Sequence, residues 1–306
     1  MIRFYLFILV FLFISCQDFD NIGRDKEDAS FFENINITEN TDNNLSIATF
    51  NIKLGFCQIC NPFSGIELGG DQEQLDRIVN FLNQMNLDII TLQEVGYMFD
   101  TTIIENQIEY IAERTRMNYA YGSQRSLEIG NDFLRGYTGN AILSRYEIIE
   151  IENFPTRAID FSNQNHVLKA RIKLNADQEI VVLSPHLEAG ATNDERSLQI
   201  NEILNQVENE SDPTIIAGDF NLSYSPNNPF LNLLDANFLN TLENVSFEEE
   251  ISILDTGTFI SGSTIDFIFT SRDNFNIISA SVAPEEFRDI SDHFLYMSSL
   301  RLNQSN

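Results

Sequence analysis

The sequence predicts an α/β sandwich, two β-sheets inside a helical coat. Three observations predict it. Segments with alternating apolar residues take turns with segments whose apolar residues recur at helical spacing, in both halves of the chain. Hairpins join several of the strands directly. From Leu45 onward neither an internal repeat nor a break in composition marks a second domain. With 306 residues, 43% of them hydrophobic and 21% charged, the chain is long enough for one large core.

The elements follow in order. Leu45 to Asn51 reads as a strand, and residues 52–70 as a loop rich in Gly and Pro. Leu75, Ile78, Val79, Leu82 and Met85 share one face of a helix that Asp71 can cap. Leu87 to Leu92 is a buried strand ended by Gln93 and Glu94, and Ile103 to Arg116 is a second amphipathic helix. Gly139 to Ser144, Glu147 to Phe154, His166 to Leu174 and Glu179 to Ser184 are successive strands. A helix from Asp194 to Val207 precedes the apolar strand Thr214 to Asp219. A short helix near Pro229 to Leu234 leads into an irregular acidic stretch. Thr264 to Phe269, Ile277 to Ala283 and a segment ending at Leu300 supply the last strands.

The N-terminus has another character. Arg3 precedes an unbroken apolar run, Phe4 to Ile14, which is too short to span a bilayer and suits an export signal. Ser15 before Cys16 resembles a bacterial lipobox, although Phe13 is bulkier than the usual Leu. Residues 1–15 are therefore expected to be a signal peptide, with lipid on Cys16. Residues 16–44, rich in Asp, Glu and Asn, are expected to be an acidic flexible tether, and 45–303 a single catalytic domain. An ordinary secretory signal or an uncleaved anchor are the rival readings. The expected location is the cell envelope, as a membrane-anchored lipoprotein facing the periplasm or the cell surface. Cys57 and Cys60 are expected to form a small disulfide or remain free thiols. A net charge of −28 gives no counterion-release gain on a polyanion, so no stable nucleic-acid partner is expected.

Polar residues able to bind metal or phosphate recur at strand ends: Asn51, Gln93 with Glu94, His186, Asp219 with Asn221, Asp266, and Asp292 with His293. Strands that point these ends one way bring them into one cleft. Phe50-Asn51-Ile52, Leu92-Gln93-Glu94, Gly139-Asn140-Ala141-Ile142-Leu143-Ser144, Pro185-His186-Leu187, Gly218-Asp219-Phe220-Asn221, Ile265-Asp266-Phe267-Ile268 and Ser291-Asp292-His293 stand in an order that resembles the endonuclease/exonuclease/phosphatase superfamily. The resemblance covers about residues 45 to 302. It implies a four-layer α/β sandwich, with two central mixed, mainly antiparallel sheets flanked by helices. It also implies Mg2+- or Mn2+-dependent hydrolysis of a phosphoester.

By that resemblance Glu94, Asn51 and Asp292 hold the metal, which needs few carboxylates because Mg2+ keeps several waters. His293, oriented by Asp266, or else Asp219, activates the attacking water. His186 and Asn221 donate to phosphoryl oxygens, and Asn140 positions the substrate or the segment that carries Glu94. Glu128 and Asp132 are candidates for a carboxylate beside His186. Lys53 departs from the abasic-site branch, which carries an acidic ligand there. The expected partners are a phosphoester substrate and, through the anchor, a lipid bilayer; a monomer is expected. The substrate is left open among phospholipid, small phosphoester and nucleic acid. The alternatives are a deoxyribonuclease-like extracellular endonuclease and a non-catalytic binding protein on the same scaffold.

Overall fold

Thirteen strands and five helices make up the computed structural model, which describes residues 29–55, 72–98, 104–129, 134–156, 165–223 and 229–303. The first half runs β1 (Ser30–Glu33), β2 (Asn44–Asn51), α1 (Gln72–Met85), β3 (Ile89–Tyr97), α2 (Gln107–Thr115), β4 (Asn118–Ile129), β5 (Leu134–Ser144) and β6 (Glu147–Pro155). The second runs β7 (His166–Asn175), β8 (Gln178–Ser184), α3 (Asn193–Asn205), β9 (Thr214–Asp219), α4 (Leu231–Asp235), β10 (Phe238–Asn240), α5 (Phe247–Thr256), β11 (Asp266–Ser271), β12 (Phe275–Val282) and β13 (Tyr296–Leu302). Two mixed sheets result, of seven strands (β1-β4-β5-β3-β2-β13-β12) and six (β10-β11-β9-β8-β7-β6). Only β2 with β3 and β8 with β9 pair in parallel, because each is joined by a crossover that carries a helix.

Strand alternation divides the core. Leu45, Ile47, Ile89 and Ile142 point one way, toward Leu168, Ile180, Val182 and Ile268 of the second sheet. Ala48, Phe50, Ile90 and Leu143 point the other way, onto Leu75, Ile78 and Leu82 of α1 and Ile108 and Ile111 of α2. The expected sandwich of two sheets with helices outside is therefore present. Among the described residues no helix is long and apolar enough to cross a membrane.

Three expectations are corrected. The tether is too long as drawn: Ser30–Glu33 pairs with Gly122 to Tyr119 of β4, and Phe31 packs on Tyr97, Tyr119 and Tyr121. Strand β4 lies where the sequence predicts no strand, because its Gly, Ser and Gln residues and a bulge break the apolar alternation. The acidic stretch before residue 257 is not irregular but contains α5. Ser246 and Glu249 form a capping box there, three Glu residues occupy the first turn, and Ile253 is its one buried residue. The apolar stripe that marks a helix is therefore missing. Residues 1–28, on which the expected signal peptide and lipidated Cys16 fall, lie outside the described residues, as do Cys57 and Cys60.

Candidate active site

The site is assembled at one rim, where strand ends of both sheets meet. Asn51 ends β2, and Ser184 ends β8 two residues before His186. Asp219 ends β9, and antiparallel register sets Asp266, the first residue of β11, directly opposite it. The register of β3 on β5 slips so that Gln93 and Glu94 together oppose Asn140. This bulge gives Glu94 a φ of 53° and turns its carboxylate into the rim. Gly218 is needed one residue before Asp219, because a Cβ there would run into the carbonyl oxygen and ring of Pro185. That close approach lets Asp219 N donate to Pro185 O at 3.2 Å and Leu187 N donate to Asp219 O at 2.9 Å.

Asp219 is the hub, at 1% exposure. Its Oδ2 accepts from Asn51 Nδ2 at 3.1 Å and lies 3.5 Å from His186 Nε2 and 3.6 Å from His293 Nε2. Its Oδ1 accepts from the Asn221 backbone N–H at 2.8 Å. Asn51 Nδ2 also donates to Glu94 Oε1 at 3.1 Å, and His186 Nε2 stands 3.9 Å from that same oxygen. His293 Nδ1–H donates to Asp266 Oδ2 at 2.9 Å, which leaves Nε2 facing Asp219. Asp266 is held in turn by Thr258, whose Oγ1 accepts from the backbone N–H groups of Ile265 and Asp266. Ser291 Oγ donates to the Asn51 carbonyl and accepts from His293 N–H, stitching the last loop to β2.

The electrostatics separate the two imidazoles. Burial pushes His186 down to about 4, with Arg125 and His293 adding to the drop and Asp219 opposing it. His186 is therefore neutral at pH 7. Burial would lower His293 as well, but the Asp266 carboxylate on Nδ1, helped by Asp219 and Asp292, lifts it to about 10. Asp219 is raised, first by burial and then by Asp266 opposite it, against the lowering pull of the two histidines. A raised carboxylate, a neutral imidazole and an imidazolium thus share one buried cluster.

The expected residues do not all stand in the same relation to this hub. Asn51, Glu94, His186, Asp219, Asp266 and His293 converge. Asn221 adjoins through its backbone, while its side-chain amide donates to Leu187 O at 2.9 Å. Asp292 is turned to Lys53, whose Nζ lies 2.7 Å from Asp292 Oδ2. Asn140 faces the space between the sheets and donates to the His166 carbonyl at 2.8 Å, opposite the bulge that carries Glu94. Asp132 and the side chain of Glu128 lie outside the described residues, and among those described no group meets His186 Nδ1. Gln124 and Asn165, whose amides both donate to the His186 carbonyl, carry no sequence signal of that role. Arg196 belongs to the site's support too: it is buried on α3, feels the charge of Asp219 and donates to Ala189 O.

A hard divalent cation fits this donor set. Glu94 offers a part-exposed carboxylate beside the Asn51 amide, and among the described residues no charged basic side chain forms an ion pair with it; His186 Nε2, 3.9 Å away, is neutral. Asp219, Asp266 and His293 also bring ligand atoms within 4.8 Å of one another, but hydrogen bonding already occupies Asp266 and His293 Nδ1.

A model of the endonuclease/exonuclease/phosphatase family matches residues 48–293, which contain every one of these groups. The chain belongs to that family. Its members are hydrolases acting on phosphoesters. Among curated proteins it is similar to the uncharacterized protein YbhP of Escherichia coli, at 27% identity over 185 residues. That match covers 57% of this chain and 66% of the relative. Among solved structures it is similar to an endonuclease/exonuclease/phosphatase from Beutenbergia cavernae, with TM-score 0.67, 18% identity, and coverage of 85% of this chain and 72% of the other. The human Nocturnin catalytic domain with bound sulfate superposes with TM-score 0.65 at 17% identity, covering 90% and 98%. The mannosyl-6-phosphatase of Bacteroides thetaiotaomicron gives 0.61 at 17%, covering 85% and 100%. At these identities the likeness is one of fold.

Proposed function

We infer that the chain is a divalent-metal-dependent phosphoesterase in which water attacks phosphorus. The observation that carries this reading is the convergence of His186 Nε2 and His293 Nε2, one just after a strand of the six-stranded sheet and one just before a strand of the seven-stranded sheet, on Asp219 Oδ2 beside the Asn51–Glu94 pair. Glu94 and Asn51 would hold Mg2+ or Mn2+, which when bound polarises the phosphoryl group and offsets charge on the leaving oxygen.

The chain's own residues supply the rest. Asp219, with its basicity raised by burial, orients the water and takes its proton. His293, charged and fixed by Asp266, donates from Nε2 to an oxygen that gains negative charge. His186, neutral, donates without adding a charge. This division of labour reverses the first-choice reading from sequence, in which His293 was the base, since an imidazolium has no lone pair to accept a proton.

The test is hydrolysis of bis-p-nitrophenyl phosphate and p-nitrophenyl phosphate with Mg2+ or Mn2+. His293→Ala should lose about 10²- to 10⁴-fold in kcat, and EDTA should abolish turnover. Turnover that ignores both changes defeats the enzyme reading and leaves a binding protein on the same scaffold.

We also place the mature chain outside the cytoplasm, anchored by lipid on Cys16. Arg3, the Phe4 to Ile14 run and Ser15-Cys16 support this. Metabolic labelling with a radioactive fatty acid should mark the wild type and not Cys16→Ser.

A further inference from the structure

The site gathers four carboxylates on a chain with 46 acidic and 18 basic residues, and its substrate carries negative charge as well. The fixed cations near it are few. Lys53 is engaged by Asp292, and Arg196 is turned to the Ala189 carbonyl. Arg125 is different. It is half-buried, and among the described residues no carboxylate lies within ion-pair distance of it.

Its mounting is rigid. The register of β4 on β5 goes from Ser123↔Gly139 to Arg125↔Thr138, so Gln124 is the extra residue of a bulge, a device that re-aims side chains. Four bonds from other segments clamp that bulge. Gln124 Nε2 donates to the His186 carbonyl at 3.1 Å, and the Gln124 carbonyl lies 3.1 Å from His166 Nδ1. Ser123 N donates to Ala29 O at 2.9 Å, and Asn153 Nδ2 donates to Ser123 O at 2.8 Å. Arg125 therefore leaves the chain one residue from the contact with His186, and its charge reaches that imidazole. Opposite it, Thr138 Oγ1 is buried without a hydrogen-bond partner.

We propose that Arg125 is a phosphate-binding residue of this site and directs it toward dianionic phosphomonoesters, its guanidinium fork taking the terminal oxygens that a diester lacks in part. A phosphomonoester has three terminal oxygens and two charges, and a diester two oxygens and one charge. The fork of an arginine matches a pair of phosphate oxygens, and the charge-assisted bonds are about twice as strong as neutral ones. This inference rests on the phosphoesterase reading above.

The test compares wild type, Arg125→Met and Arg125→Lys on p-nitrophenyl phosphate and bis-p-nitrophenyl phosphate, with inorganic phosphate as a product inhibitor and binding ligand. Arg125→Met should raise KM for the monoester and weaken phosphate binding by about 10-fold or more, raise the diester KM by a distinctly smaller factor, and leave the melting temperature little changed; Arg125→Lys should recover part of the loss, but not a bidentate grip. An equal loss on both esters, or unchanged phosphate affinity, overturns the proposal. If the wild type hydrolyses neither ester yet loses phosphate affinity on Arg125→Met, the phosphoesterase reading fails and phosphate binding by Arg125 stands.

Discussion

Asp219 and Asp266 face each other across an antiparallel register, each 1% exposed, where like charges repel and desolvation is costly. The arrangement persists because His293 bridges them, with Nδ1 on one carboxylate and Nε2 toward the other. Strain marks the same rim: Glu94, Asn221 and Lys53 all have left-handed φ values of 48–53° without being glycine, at a cost of order 1–3 kcal/mol each. The metal roles divide at this scale. Glu94 is open to a cation, whereas Asp292 already has one in Lys53. Glu94→Gln should weaken Mn2+ binding by about 10-fold or more, and Asp292→Asn by far less; isothermal titration of the two variants decides, and equal losses would restore Asp292 to the metal shell. Asp219 was legible in the sequence because an apolar strand that ends on a carboxylate is a local signal, and Asp266 because a carboxylate among apolar neighbours is costly to bury unpaired. The pairing of Lys53 with Asp292 was not, since it joins positions 239 residues apart through a turn that no periodicity encodes.

The β8–β9 pair is the element that sets the cleft's spacing. Beyond Ser184 the two strands keep touching through an isolated bridge, His186↔Asp219, which holds an imidazole and its carboxylate side by side. Gly218 makes that contact possible. Gly218→Ala should cost about 1–3 kcal/mol through backbone displacement, seen as a lower urea midpoint, and should reduce turnover because His186 moves with Pro185. A variant with wild-type stability and activity would show that the two strands are not held this closely. Strands and helices with strong apolar periodicity, such as β2, β9 and α1, are readable from sequence for the same reason that they are stable: one face is buried. The periodic signal fails for β4, where Gln124 is spent on His186 rather than on the ladder, and for α5, which is held by its cap and its acidic first turn.

Across the whole molecule charge is the dominant imbalance. A net −28 repels itself in the compact state, and attractive clusters such as Arg171 with Glu210, Asp212, Glu150 and Glu179 are local exceptions. Raising NaCl from about 10 mM to about 150 mM shortens the Debye length from about 30 Å to about 8 Å. The melting temperature should rise over that range, measured by scanning calorimetry in metal-free buffer; a fall would mean that the Arg171 cluster and its like outweigh the global repulsion. The sandwich was legible at this scale because its alternation of periods spans the chain. The order of strands within each sheet was not, because it depends on crossovers whose direction local patterns leave open. The short strand β1 has one more consequence. It covers the outer rung of β4 from Tyr119 to Gly122 and roofs the ring cluster of Tyr97, Tyr119 and Tyr121 with Phe31. A chain begun at Leu45 would offer those amides and carbonyls to a second copy of itself, a template for edge-to-edge aggregation. The residues of β1 therefore guard solubility, a duty separate from the chemistry proposed at the rim.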